Sequence, residues 1–334
     1  MHLPTSYVSP ANTDNPLKMT ARIWTRYRAD LIIGFLSGPV SDTCLSDFAR
    51  PAAVLCMVLF AIFIPTAETC AGNNPTFRLD SENHFRDYTV RLYSEESGSG
   101  AGRLEIFRKG KRVFRIREGG TFEIAETVID RKGHRRPVPL IGKDINGDGT
   151  PDLVICEYSG GAHCCFDYHI FEMGRRFRET AFFDMKDSQL SFEDLDGDGK
   201  LEISGHDATF AYWHTCFAES PMPEIVLQYD GTRYAIAPGL MHRSAPSSRT
   251  LQEEIRKIRA GKGWEKGIDD YPPALWRVML DLIYTGHADM AWNFFDKAWP
   301  ENIRGKEAFL REFRSTLKSS PFWPGIRELN KGMI

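Results

Sequence analysis

Two nine-residue stretches near the middle of the 334-residue chain share one pattern: Asp144-Ile145-Asn146-Gly147-Asp148-Gly149-Thr150-Pro151-Asp152 and Asp194-Leu195-Asp196-Gly197-Asp198-Gly199-Lys200-Leu201-Glu202. Oxygen-bearing side chains stand at positions 1, 3, 5 and 9, with glycine at 4 and 6. This alternation curls a short loop around a hard cation. Calcium takes about 6–8 oxygen ligands at roughly 2.3–2.6 Å. Asp144, Asn146, Asp148 and Asp152 would supply side-chain oxygens in the first loop, as would Asp194, Asp196, Asp198 and Glu202 in the second. Thr150 and Lys200, at position 7, would offer backbone carbonyls. The glycines allow the tight curl, and acidic groups held this close repel one another unless a cation stands between them.

The loops are not EF-hands. That motif closes on a bidentate glutamate at position 12 between two helices, and position 12 here is Ile155 or Gly205. Leu153-Val154-Ile155-Cys156 reads instead as a strand. Over roughly residues 140–240 the pattern resembles the calcium loops of FG-GAP and VCBS-type repeats of integrin-like β-propeller blades, and it matches at all four side-chain ligand positions of both loops. The resemblance implies calcium as cofactor.

Alternation of period two predicts strands at Asp87–Tyr93, Arg103–Phe107 and Arg112–Ile116, the last two joined by a Lys109-Gly110-Lys111 turn. Further strands are expected at Phe122–Val128, Leu153–Glu157, Cys164–Phe171, Ile225–Tyr229 and Tyr234–Ala237, with an Asp230-Gly231 turn between the final pair. The chain is too short for a closed propeller of several blades. The expected fold is a multi-domain β-then-α chain: an antiparallel propeller-like or sandwich-like β domain over residues 77–242, then a small helical bundle over 250–334. Residues 243–249 read as the linker. Apolar spacing marks helices around Leu251–Ile258, Leu275–Ile283, Ala288–Ala298 and Phe309–Leu317.

Residues 51–67 carry no charge, and small residues follow at Thr69-Cys70-Ala71. That apolar core is nearer a signal-peptide h-region than a spanning helix. Residues 1–71 are therefore read as an N-terminal extension and signal peptide, which places the protein in the periplasm or outside the cell. The alternative is a membrane anchor formed by residues 51–67. Formal net charge is −3, and the basic residues of the second half are balanced by an acidic first half. No nucleic-acid partner is expected, and membrane contact is expected only through the N-terminal segment.

Cys156, Cys164, Cys165 and Cys216 form an even set, which in an exported chain favours disulfides. A symmetric turn at Ser159-Gly160-Gly161-Ala162 would face Cys156 with Cys165 and leave Cys164 for Cys216; three connectivities stay open. A zinc site from His163, Cys164, Cys165, His169, His214 and Cys216 lacks any C-x-x-C pair. A calcium-dependent hydrolase would recruit His163, His206, Asp207 and His214; Gly160-Gly161-Ala162-His163 and Gly205-His206-Asp207 follow the loops at offsets that differ by only a few residues. No nucleophile elbow, metalloprotease helix or phosphate loop accompanies them. The leading expectation is a non-enzymatic binding or scaffolding module whose calcium-stiffened loops face a protein or glycan ligand. The hydrolase is the alternative.

Overall fold

The structure is a computed structural model, and it describes residues 75–131, 134–161, 165–264 and 271–334. The segment 51–67, the small residues at 69–71, His163 and Cys164 lie outside the described residues. Residues 71–334 form one compact unit, whose described residues build three open sheets followed by six α-helices.

Strands are numbered along the chain. The first sheet is an antiparallel meander of β1 (Phe77–Phe85), β2 (Tyr88–Glu95), β3 (Gly102–Arg108) and β4 (Lys111–Gly119). Its β3–β4 hairpin closes through Lys109 and Gly110, both at positive φ, a geometry that matches the twist of the strands it joins. The second sheet runs β11 (Phe177–Asp184), β10 (Phe166–Met173), β9 (Asp152–Tyr158), β5 (Thr121–Ile124), with β8 (Ile141–Lys143) also paired to β9. The third runs β15 (Tyr234–Ile236), β14 (Glu224–Tyr229), β13 (Glu202–His206), β12 (Ser191–Glu193), β6 (Glu126–Arg131), β7 (His134–Pro139).

The second sheet is buried on both faces. Leu153, Ile155, Phe171 and Met173 pack with Val90, Leu92, Leu104 and Ile106 of the first sheet. The opposite side chains Val154, Cys156, Tyr168 and Ile170 join a larger core shared with the third sheet and the helices. Burial on both sides explains why Leu153–Cys156 is continuously apolar instead of alternating. The expected strand at Phe122–Val128 divides at Ala125, whose backbone bonds Val154 and Leu140. Its first part joins the second sheet as β5 and its second part the third as β6. β1, β7, β8, β11, β12 and β13 were not legible from periodicity. β12 has only three residues, β1 is a largely exposed, polar edge strand, and a bulge interrupts the alternation of β11.

The helices are α1 (Pro238–Met241), α2 (Ser248–Ala260), α3 (Ala274–Tyr284), α4 (Ala288–Ala298), α5 (Lys306–Lys318) and α6 (Trp323–Leu329). Ser247 caps α2 by accepting from Thr250 N–H at 3.1 Å. Gly286, at φ +84°, ends α3 with the paired bonds Gly286 N to Ile283 O and His287 N to Leu282 O, the Schellman pattern. Leu275, Met279, Phe295, Phe309 and Phe313 from these helices share the large core with Ile203, Ile225, Leu227 and Ile236 of the third sheet. Residues 243–249 therefore connect two parts of one core. The division into β and helical segments holds along the chain, but hydrophobic packing runs across it.

Candidate metal loops

Each nine-residue loop leaves a three-residue strand and delivers the chain into the next. The first lies between β8 and β9, the second between β12 and β13. Five backbone-to-side-chain bonds recur in both, position by position. The carboxylate at position 1 spans the amides of both glycines. Asp144 accepts from Gly147 N at 2.8 Å and Gly149 N at 2.8 Å. Asp194 accepts from Gly197 N at 2.7 Å and Gly199 N at 3.1 Å. Position 3 accepts from the amide of position 5: Asn146 from Asp148 at 2.9 Å and Asp196 from Asp198 at 3.1 Å. Position 5 accepts from position 7, Asp148 from Thr150 and Asp198 from Lys200, both at 2.8 Å. Position 9 closes the ring on the amide of position 2. Asp152 accepts from Ile145 N at 3.0 Å, and Glu202 from Leu195 N at 2.7 Å. The four glycines have φ between +74° and +90°, which a side chain would strain.

Both oxygens of Asp144 and of Asp194 accept from loop amides. In the second loop, ligand atoms of Asp194, Asp196 and Glu202 lie within 4.8 Å of one another. Asp198 stands apart from that triad, since its Oδ2 accepts from Lys200 Nζ at 2.7 Å. In the first loop, Asp152 is only 1% exposed, and its Oδ1 is buried without a hydrogen-bond partner. Burial pushes the Asp152 carboxyl up to about 7, opposed by the Ile145 amide and reinforced by the charges of Asp148, Asp144 and Glu172. Glu202 is raised for the same reasons: burial first, then Asp196 and Asp198, against the Leu195 amide.

The loops touch. Leu201 N donates to Ile145 O at 2.7 Å. The Lys200 stem crosses Gly147 so closely that a Cβ there would meet Cε at 2.8 Å.

Of the expected pairings, Cys156–Cys165 and Cys164–Cys216 are not formed. Cys156 and Cys216 are free thiols, the first buried and the second exposed. Cys165 is disulfide-bonded, with its partner outside the described residues. The β9–β10 register explains why: Tyr158 faces Phe166 and Cys156 faces Tyr168, so the connection spans Ser159–Cys165 and carries Cys165 past the end of the pairing. Burial pushes the Cys156 thiol up to about 11, offset in part by its hydrogen bond with Tyr168.

Among the described residues, the hydrolase candidates His206, Asp207 and His214 are each held by separate partners or by solvent. His206 is exposed. His214 Nε2 lies 3.0 Å from Glu312 Oε1, which also accepts from Trp213 Nε1 at 3.1 Å. Asp207 is 2% exposed and fully engaged: Oδ1 accepts from Thr209 N at 2.8 Å and Thr209 Oγ1 at 2.5 Å, and Oδ2 accepts from Tyr284 Oη at 2.6 Å and Ser320 Oγ at 2.5 Å. His169 is buried between Glu179 and Glu157. Sequence spacing gave no sign of the Asp207 and His169 clusters, because their partners are supplied by strand pairing and helix docking. No protein-family model, curated protein or solved structure matches the chain. Among the described residues, no helix is long and apolar enough to cross a membrane.

Proposed function

We propose that both loops bind calcium and that the protein is an exported, non-enzymatic binding or scaffolding module stiffened by the two ions. One observation carries the metal reading: Asp152 Oδ1 is buried without a partner in the loop whose counterpart gathers Asp194, Asp196 and Glu202. A buried carboxylate oxygen left without a partner is costly, and a cation inside the loop would satisfy it. The donor sets consist of carboxylate, amide and backbone oxygens, the hard ligands that suit calcium and not the softer transition metals. The three sheets would then stand as an incomplete propeller-like array, with one ion at the entry of β9 in the second sheet and one at the entry of β13 in the third.

The residues left for chemistry favour binding over hydrolysis. Asp207 spends its oxygens on Thr209, Tyr284 and Ser320, and His214 is held by Glu312. In this reading the ions are structural: they fix the loops against each other and present a rigid edge to a protein or glycan ligand. Calorimetric titration of the full chain with calcium tests the metal, with two sites expected. Absence of calcium uptake would end the proposal. A screen of esterase, phosphatase and glycosidase substrates on calcium-loaded protein tests the module. Turnover that disappears in His214→Ala would replace it with the hydrolase.

A further inference from the structure

A second charged cluster lies on the second sheet, at the end of β9 away from the loops. Asp167 and His169 are two residues apart on β10. Strand pairing sets Glu157 and Asp184 on either side of Asp167, and Ile155 and Phe182 on either side of His169. The β10–β11 register then slips by one residue, with Ile170 facing Ala181 and Phe171 facing Glu179. Thr180 is the extra residue, its hydroxyl donating to Ile170 O at 3.1 Å. This bulge turns Glu179 onto the face that His169 occupies.

His169 is 3% exposed. Its ring lies parallel to Phe171 and against Phe182, and Phe114 of β4 closes over it from the first sheet. Nδ1 bonds Glu179 Oε1 at 2.6 Å. Nε2 is buried without a hydrogen bond and stands 3.6 Å from Glu157 Oε2. The other Glu157 oxygen accepts from Gly120 N at 2.8 Å, where the chain passes from the first sheet to the second. The charged groups around the ring are Glu157 from β9, Asp167 from β10, and Glu179 and Asp184 from β11. Lys186 pairs with Asp184 at 2.6 Å. β5 sets Phe122 and Ile124 beside Glu157 and Ile155. Four carboxylates thus share this face with one lysine.

We propose that His169 is an imidazolium in the folded protein and acts as a proton-operated clasp, joining Glu157 of β9 to Glu179 of β11 across β10 and opening when the ring loses its proton. A charged imidazole donates from both nitrogens, which suits a carboxylate on each side. A neutral ring bonded to Glu179 through Nδ1 would turn a bare acceptor nitrogen toward the Glu157 carboxylate, inside the protein. Burial alone drives the ring toward neutrality, but the nearby carboxylates of Glu157 and Glu179 outweigh it and raise proton affinity above the ordinary value. A histidine raised on folding stabilises fully below its unfolded pKa of about 6.5, and the stabilisation fades as pH rises through the folded value. Opening frees Glu157, which also holds the Gly120 turn, so the seam between the first two sheets loosens in alkaline solution. None of these groups belongs to the calcium loops, and the clasp stands or falls independently of them.

The test is histidine-resolved NMR titration of the full chain between about pH 5 and 9, at constant calcium, with melting curves in the same buffers. One imidazole is expected to titrate above about 6.5, and its midpoint should fall in both Glu179→Gln and Glu157→Gln. The melting-temperature advantage of wild type over Glu179→Gln should shrink from acid to alkaline pH. Glu179 is partly exposed, so that variant should retain the fold, and the wild-type titration requires no variant. A ring already neutral at acid pH, or a midpoint indifferent to both substitutions, would overturn the clasp. So would zinc raising the melting temperature of wild type but not of His169→Asn, because Nε2 would then be a metal ligand.

Discussion

The amide of Leu201 donates to the carbonyl of Ile145 at 2.7 Å, bonding the eighth position of one loop to the second position of the other. Ile145 also donates its own N–H to the Asp152 carboxylate at 3.0 Å. A single peptide segment therefore stands between the two candidate metal sites, and a change in one loop has a direct backbone route to its neighbour.

Calcium uptake should accordingly be coupled. Glu202→Gln removes a carboxylate from the second loop and is expected to weaken calcium at the first as well. Asp152→Asn should weaken the second in the same way. Calcium at 100 times its dissociation constant stabilises a one-site protein by about 2.7 kcal/mol, so chelation should lower the wild-type melting temperature more than that of the double variant. Calorimetric titration of each single variant checks the coupling, and an unchanged affinity at the intact loop would refute it.

Asp207 should matter for stability. Its side chain joins the segment after β13 to the end of α3 through Tyr284 and to the α5–α6 connection through Ser320. Asp207→Ala leaves those buried hydroxyls and the Thr209 amide without an acceptor. The two buried hydroxyls, at about 1–3 kcal/mol each left unsatisfied, give an expected loss of roughly 2–6 kcal/mol. Denaturant melts of calcium-loaded protein measure it. A change below about 0.5 kcal/mol would mean that the network is replaced by solvent.

Thiol chemistry should separate Cys156 from Cys216. Cys216 is exposed and should label rapidly in the native protein. Cys156 is buried with its thiol pushed up to about 11, so its reactive thiolate is scarce at neutral pH. It should label only after unfolding. Peptide mapping with and without denaturant reads this directly, and a mapped Cys156–Cys165 bridge would contradict it.

The β segment should not stand alone. Arg249 is highly exposed at the start of α2, so trypsin is expected to nick there. The two pieces should remain associated through the shared core. A chain ending at His242 would expose Ile203, Ile225, Leu227 and Ile236, which pack with the helices, and is expected to aggregate or lose its cooperative melt. Size exclusion after nicking, together with thermal melts of the truncated chain, tests both statements. A soluble, cooperatively melting fragment over 77–242 would restore two independent domains.

Short-range order was written plainly in the chain. The positions of the two loops, the Lys109-Gly110 turn, most of the core strands and helices α2 to α5 follow from spacing, because loop curl, hairpin twist and helical amphipathicity depend on residues only a few positions apart. The bonding of Asp144, Asn146, Asp148 and Asp152 repeats in Asp194, Asp196, Asp198 and Glu202 for the same reason. Pairing between distant segments was not written there. The three-residue strands carry too little period to read. One bulged residue, Thr180, decides whether Glu179 meets His169, and the length of the Ser159–Cys165 connection decides that Cys156 faces Tyr168. Packing also overrode the polar stretch at residues 243–249, since composition marks where a chain turns and not whether the parts it joins share a core. Neighbouring residues alone set the local shapes and the oxygen-rich loops. The tertiary structure decided which loops touch, which thiols stay free and which buried charges face each other, because each is set by contacts across scores of residues that no local pattern encodes.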